Sequence, residues 1–128
     1  MIIGIAGVLI LGAAQQPSPL AQTKAGQWEL EGVPGAKSPV RQCVSEMLAL
    51  ARFEHRGKNC TSRTISTTVS SIVIEYDCGG AGFGRSQLDV LTPRSLRIST
   101  QGISDSLPFN YVLQARRLGD CSTTATSH

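Results

Sequence analysis

The sequence predicts a mainly β protein: an antiparallel meander or small barrel-like sheet with one short helix, stabilised by disulfides. Three observations support this fold class. Segments that alternate apolar with polar residues follow one another along the chain, only one short segment has helical composition, and four cysteines lie far apart. Alternation is typical of half-buried strands. Scattered cysteines behind an apolar leader are typical of exported proteins, whose thiols pair in oxidising compartments.

Residues 1–14 are expected to be a signal peptide, because residues 2–14 form an uncharged apolar run that is too short for a permanent membrane span. Cleavage is expected after Ala14, with Ala21 as second choice, and residues 15–25 are expected to be a flexible spacer. No basic residue precedes the run, so either the amino terminus supplies the positive charge or the natural start lies upstream. A buried strand or an uncleaved anchor is the alternative.

One domain is expected at residues 26–121, followed by a polar, disordered tail at 122–128. The chain has only three Phe, two Tyr and one Trp, so Ile, Val and Leu must fill the core. Each disulfide would add about 3 kcal/mol by the loop-entropy model. The net charge of +3 is scattered, and no aromatic residues interleave it. This pattern argues against a nucleic-acid interface.

The first predicted strand covers residues 26–32, where the alternation turns Trp28 and Leu30 inward. Residues 40–43 are predicted to form a short returning strand. The single segment of helical composition is 45–52, with Ser45 as its N-cap and Arg52 in its last turn.

A hairpin is predicted around Val69, because Cys60 and Cys78 are equidistant from it in the sequence. The same register sets Arg63 opposite Glu75, which are opposite charges on neighbouring strands.

That register also pairs Ile65 with Val73, two β-branched residues. We therefore expect a Cys60–Cys78 disulfide at the open end of the hairpin, which leaves Cys43 to pair with Cys121. Four cysteines allow three pairings, and the sequence does not choose among them by itself.

The remaining strands are predicted at residues 85–91, 96–99 and 109–118. The glycine-rich residues 79–84 interrupt the strand pattern, 92–95 form a turn around a proline, and 101–108 are predicted to be a loop. The side chains expected to share one face of the last strand are Phe109, Tyr111, Leu113 and Ala115.

Five short motifs follow one another along the chain: Gly26-Gln27-Trp28-Glu29, Gln42-Cys43-Val44-Ser45-Glu46, Cys60, Cys78-Gly79-Gly80 and Arg117-Leu118-Gly119-Asp120-Cys121. Their order resembles that of the DUF3617 family of exported bacterial proteins. The chain departs from that family's common Leu-Thr-Pro after the first cysteine, since Val44-Ser45-Glu46 stands there. The resemblance implies export and a four-cysteine framework, and it supplies no catalytic residue.

No catalytic, cofactor-binding or metal-binding residue is predicted. Gly80, Gly82 and Gly84 precede a strand pattern, whereas a phosphate-binding loop opens a helix. His55 lies in a charged stretch that favours a solvated loop, and no nucleophile motif accompanies it. The cysteines are too widely spaced for structural zinc, and no Cys-x-x-Cys is present.

The sequence therefore predicts a non-enzymatic binding or interaction domain in the periplasm or outside the cell. Its partner would be an envelope protein or a small apolar ligand, with no nucleic acid, and with membrane contact only through the signal peptide during export. A ligand carrier would have an interior apolar cavity, whereas a hydrolase would bring several ionisable groups into one cleft. The residues expected to line a carrier's cavity are Tyr76, Phe83, Phe109 and Tyr111.

Overall fold

Seven antiparallel strands form one sheet in the computed structural model, which describes Gly4 and residues 17–122. Apart from Gly4, the predicted signal peptide lies outside the described residues, as does the tail beyond Ser122. The strands are β1 (Gly26–Glu31), β2 (Val40–Val44), β3 (Thr61–Thr67), β4 (Ser71–Asp77), β5 (Gly82–Thr92), β6 (Ser95–Ser104) and β7 (Leu107–Gly119).

The strand order is β2-β1-β7-β6-β5-β4-β3. The last five strands form the predicted meander, in which each strand pairs with its successor. The β1–β2 hairpin does not continue that meander, because β1 pairs with β7 instead. β2 and β3 are therefore the two edges, and the described sheet is open.

A helical segment, Met47–His55, carries the chain from one sheet edge to the other across a single face. We call this covered side the inner face and the opposite side the outer face. The segment is 3₁₀ and kinked at Arg52. It buries Leu50, Ala51 and Phe53 against β5 and β6.

The predicted helix bounds, residues 45–52, need correction. The observed segment begins at Met47, and Ser45 is not its cap: Glu46 holds that position without a side-chain hydrogen bond. The segment continues past Arg52 because burial of Phe53 and His55 holds the last turn beneath the sheet.

The inner face forms the core, and both residues predicted to face inward from β1, Trp28 and Leu30, are fully buried. The indole N–H of Trp28 donates to the carbonyl of Lys24, at 3.1 Å. Leu20, within the segment predicted to be a spacer, is also buried and belongs to a 3₁₀ turn at Pro19–Gln22. The other buried apolar side chains on the sheet are Val44, Ile72, Ile74, Tyr76, Leu88, Val90, Leu96, Ile98, Leu113 and Ala115.

The predicted β3–β4 hairpin is confirmed, with Arg63 opposite Glu75. The pairing of Ile65 with Val73 is wrong, because the register shifts between Thr64 and Ser66 and Val73 pairs with Ser66. Such a bulge places one extra residue on one strand and displaces every later pair.

The loop predicted at residues 101–108 is also wrong. β6 continues to Ser104, β7 begins at Leu107, and the two strands are joined by a two-residue turn. Both turn residues have positive φ, 48° at Asp105 and 67° at Ser106, as in the favoured hairpin turns. Similarly, β5 begins at Gly82, inside the segment predicted to interrupt the strands.

Two disulfides, Cys43–Cys121 and Cys60–Cys78, confirm the expected pairing. Disulfides of this kind indicate an oxidising compartment. In the described part of the chain, no helix is long and apolar enough to cross a membrane.

Candidate functional site

The outer face carries a groove of about 950 Å³ that crosses the sheet from β3 to β7. We call this feature the outer groove. Its volume is within the range of small-molecule sites. It is lined by Thr61, Ser62, Arg63, Glu75, Tyr76, Asp77, Phe83, Gly84, Arg85, Gln101, Gly102, Ile103, Pro108, Phe109 and Asn110.

One row of the outer groove is polar and has one residue on each of five strands. The strand registers align Arg63, Glu75, Arg85, Gln101 and Asn110. Glu75 accepts two hydrogen bonds from Arg63, at 2.9 and 3.3 Å, and lies 3.7 Å from an Arg85 nitrogen. Among the described residues, the side chains of Arg85, Gln101 and Asn110 have no hydrogen-bond partner, so their polar atoms remain available to a ligand.

The neighbouring row is apolar on β5, β6 and β7, where Phe83, Ile103 and Pro108 are aligned. Phe83 is 54% exposed, although a phenyl ring is usually buried. Asp77 lies opposite Phe83 on β4, and its carboxylate accepts a hydrogen bond from the Gly79 N–H at 2.8 Å. The groove therefore has an apolar strip beside a strip of polar side chains.

Beneath the same strands, the inner face holds a buried histidine. His55 is only 4% exposed; its Nδ1 lies 2.9 Å from the Tyr76 hydroxyl and its Nε2 lies 3.1 Å from the Ala81 carbonyl oxygen. Because a carbonyl only accepts, Nε2–H donates to Ala81; in the neutral imidazole Nδ1 then accepts from the Tyr76 hydroxyl. The prediction that His55 lies in a solvated loop is wrong.

Glycines in β5 make the space for this histidine and its tyrosine partner. A Cβ on Gly82 would lie 2.8 Å from Nε2 of His55, and a Cβ on Gly84 would lie 2.5 Å from Cζ of Tyr76. Glycine is thus required here for close packing. The charged neighbours of His55 gave no sign of this, because the space is provided by a distant strand.

A second, half-buried pair adjoins the histidine. The Tyr111 hydroxyl donates to a Glu54 carboxylate oxygen at 2.8 Å, and the Phe109 ring contacts both His55 and Tyr111. Burial, and then the Glu54 charge, raise the pKa of Tyr76 to about 12. Burial and the hydrogen bond to Glu54 raise the pKa of Tyr111 still further.

We call Glu54, His55, Tyr76, Phe109 and Tyr111 the inner cluster. Its contacts hold the helical segment against the sheet. Both ring nitrogens of His55 are occupied by protein partners. Ser86 similarly joins the helix to β6, since its hydroxyl donates to the Ala51 carbonyl and contacts the Thr100 hydroxyl. Throughout residues 17–122, every buried side-chain nitrogen or oxygen has a hydrogen-bond partner, and no cluster of metal-ligating side chains occurs.

The four aromatic residues expected to line an interior cavity divide between the two faces of the sheet: Tyr76, Phe109 and Tyr111 belong to the inner cluster, whereas Phe83 is exposed on the outer face. Tyr76, Phe83 and Phe109 line the outer groove, which is open to the surface, but Tyr111 does not. Sequence reasoning missed the polar residues Arg85, Gln101 and Asn110, since their alignment depends on β6 extending through the segment predicted as a loop. The alternation of Phe83, Arg85 and Gln87 was the available signal.

Comparison with known proteins identifies the family. No curated protein and no solved structure matches the chain significantly. The family model described as "Protein of unknown function (DUF3617)" matches residues 23–121, a range that includes all seven strands and both disulfides. The chain therefore belongs to the DUF3617 family.

Proposed function

We propose that the protein is a non-enzymatic binding domain, exported to the periplasm or cell envelope, that holds a ligand in the outer groove. The observation that carries this proposal is Phe83, a half-exposed ring in a groove of about 950 Å³. Apolar surface rimmed by polar groups is typical of binding sites. The side chains of Arg85, Gln101 and Asn110, which make no hydrogen bond to any residue that the structure describes, provide such a rim.

The same geometry supports binding over hydrolysis. Ionisable groups converge in two places, and both sets already have protein partners. Glu54, His55, Tyr76 and Tyr111 hydrogen-bond to protein groups under the sheet. In the outer groove, the Glu75 and Asp77 carboxylates each accept a hydrogen bond from the protein. A general base must reach the proton that it removes from a substrate. His55 has no free ring nitrogen for that purpose.

Export is supported by the two disulfides and by the apolar run at residues 2–14. The buried Leu20 favours cleavage after Ala14, because cleavage after Ala21 would remove this core side chain. The mature protein would then begin at Gln15 and keep the 3₁₀ turn that contains Leu20.

Titration with Nile red, an uncharged apolar dye, tests the binding site in protein recovered from an osmotic-shock fraction. We expect saturable binding, weakened about tenfold by Phe83→Asn, because the dye then loses apolar contact. Leu91→Asn is the matched control: Leu91 is also exposed on β5 but lies outside the groove. Equal affinities in the two variants, or recovery only from the cytosol, would contradict the proposal.

A further inference from the structure

We propose that the ligand of the outer groove is an amphipathic anion, with an alkyl chain on the apolar strip and a carboxylate or phosphate at Arg85. This inference rests on the proposed function and names its ligand class. The structure contributes three observations: the pairing of the groove charges, the position of its carboxylates, and the orientation of its apolar strip.

The two guanidinium groups of the groove share one carboxylate unequally. Arg63 makes two hydrogen bonds to Glu75, whereas Arg85 makes only a 3.7 Å ion pair with it. A guanidinium carries five N–H donors, arranged to match a carboxylate or phosphate. Arg85 therefore presents a half-exposed cation whose donors make no hydrogen bond within the described chain.

The carboxylates of the groove lie on one side of Arg85. Glu75 and Asp77 are both on β4, and each already accepts a hydrogen bond from the protein. On the other side, β6 and β7 contribute the uncharged amides of Gln101 and Asn110. An anion on that side of Arg85 would therefore have the Arg85 guanidinium between itself and the Glu75 carboxylate.

The apolar strip has the orientation that an alkyl chain needs. Phe83, Ile103 and Pro108 succeed one another across β5, β6 and β7, parallel to the row of Arg85, Gln101 and Asn110. A peptide added to the sheet edge would instead run along β3, whose groove residues are polar. The geometry thus favours a chain that lies across the strands.

Calorimetric titrations with four dodecyl compounds test the head-group preference. Dodecanoate and dodecyl phosphate carry anionic heads, dodecyl maltoside has an uncharged head, and dodecyltrimethylammonium is cationic. We expect at least one anion to bind about tenfold more tightly than the uncharged and cationic compounds, since a charged hydrogen bond is lost in those. The better of the two anions distinguishes a carboxylate from a phosphate head.

Arg85→Gln should remove this preference, so that the anionic compounds bind no more tightly than dodecyl maltoside. Arg97→Gln is the control, because Arg97 is an exposed outer-face arginine on β6 that does not line the groove. If Nile red binds but all four heads bind equally, or the maltoside binds best, the anion is wrong and the proposed groove stands. If neither Nile red nor any dodecyl compound binds, both proposals fall.

Discussion

Gly84 is the residue whose replacement should be most informative about the inner cluster. A Cβ there would lie 2.5 Å from two atoms of the Tyr76 side chain, which is fixed by its bond to His55. Overpacking of this kind costs about 1–3 kcal/mol. We therefore expect Gly84→Ala to lower the free energy of unfolding by about that amount in urea titrations.

Gly80→Ala is the matched control for this prediction. Gly80 has ordinary backbone angles, and a methyl group added there would have nothing within 4 Å, so its replacement should change stability by less than about 0.5 kcal/mol. Adding Tyr76→Leu to Gly84→Ala should recover part of the loss through the removed clash. Equal stabilities of the two alanine variants would show that Tyr76 moves aside without cost.

Tyr76 should also make the free energy of unfolding fall as the pH becomes alkaline. Burial raises its pKa from 10.0 to about 12, so between these values the unfolded chain loses a proton that the folded chain keeps. The contribution is complete below about pH 10 and disappears as the pH rises through about 12. Tyr76→Phe should therefore flatten the fall in urea midpoint across this range.

The wild-type slope should not vanish entirely in that variant, because the pKa of Tyr111 is raised as well. Short incubations keep the disulfides intact at high pH. Identical pH profiles for Tyr76→Phe and the wild-type protein would show that the Tyr76 hydroxyl titrates equally in the folded and unfolded chains.

Among the elements, those with strict alternation and cross-strand matches were predictable from the sequence. Trp28 and Leu30 face inward as their spacing predicts, and Arg63 pairs with Glu75. The bulge after Thr64 was not predictable, because a single extra residue leaves the composition of the strand unchanged.

Glycines account for the larger errors in the predicted strand bounds, and they explain why the outer groove was not predicted. Gly82 and Gly102 suggested turns or loops, yet both lie inside strands. A Cβ on Gly102 would collide with the Phe83 carbonyl oxygen, so the glycine permits a close approach of β5 and β6. That approach aligns Arg85 with Gln101 and Phe83 with Ile103, and local sequence patterns do not encode such alignments between distant segments.

The two edges of the sheet carry the same arrangement of ion pairs on the outer face. At each end, a glutamate on the second strand is flanked by arginines on the edge strand and on the third strand. At the β2 edge Glu29 lies 3.6 Å from Arg41 and 3.3 Å from Arg116; at the β3 edge Glu75 holds the equivalent place. Such exposed pairs contribute little stability individually. Their consistent register favours one alignment of each edge strand over a slipped one.

At the scale of the whole molecule, each disulfide secures one of these edges. Cys43 lies in β2 and is bonded across β1 to Cys121, just beyond the end of β7. Cys60 lies just before β3 and is bonded to Cys78, just after β4. Edge strands have one unpaired side and are the easiest part of a sheet to detach. The disulfides therefore stabilise the strands that hydrogen bonds hold least.

The two disulfides should differ in their contribution, because they close loops of different length. The separations are 78 residues for Cys43–Cys121 and 18 for Cys60–Cys78. The loop-entropy model gives about 4.5 and about 3 kcal/mol respectively. We expect the Cys43→Ala/Cys121→Ala variant to unfold at a lower urea concentration than the Cys60→Ala/Cys78→Ala variant. The reverse order would mean that attaching β3, which forms one end of the outer groove, contributes more stability than closing the longer loop. Nile red titration of both variants would then show whether detachment of β3 weakens binding in the groove.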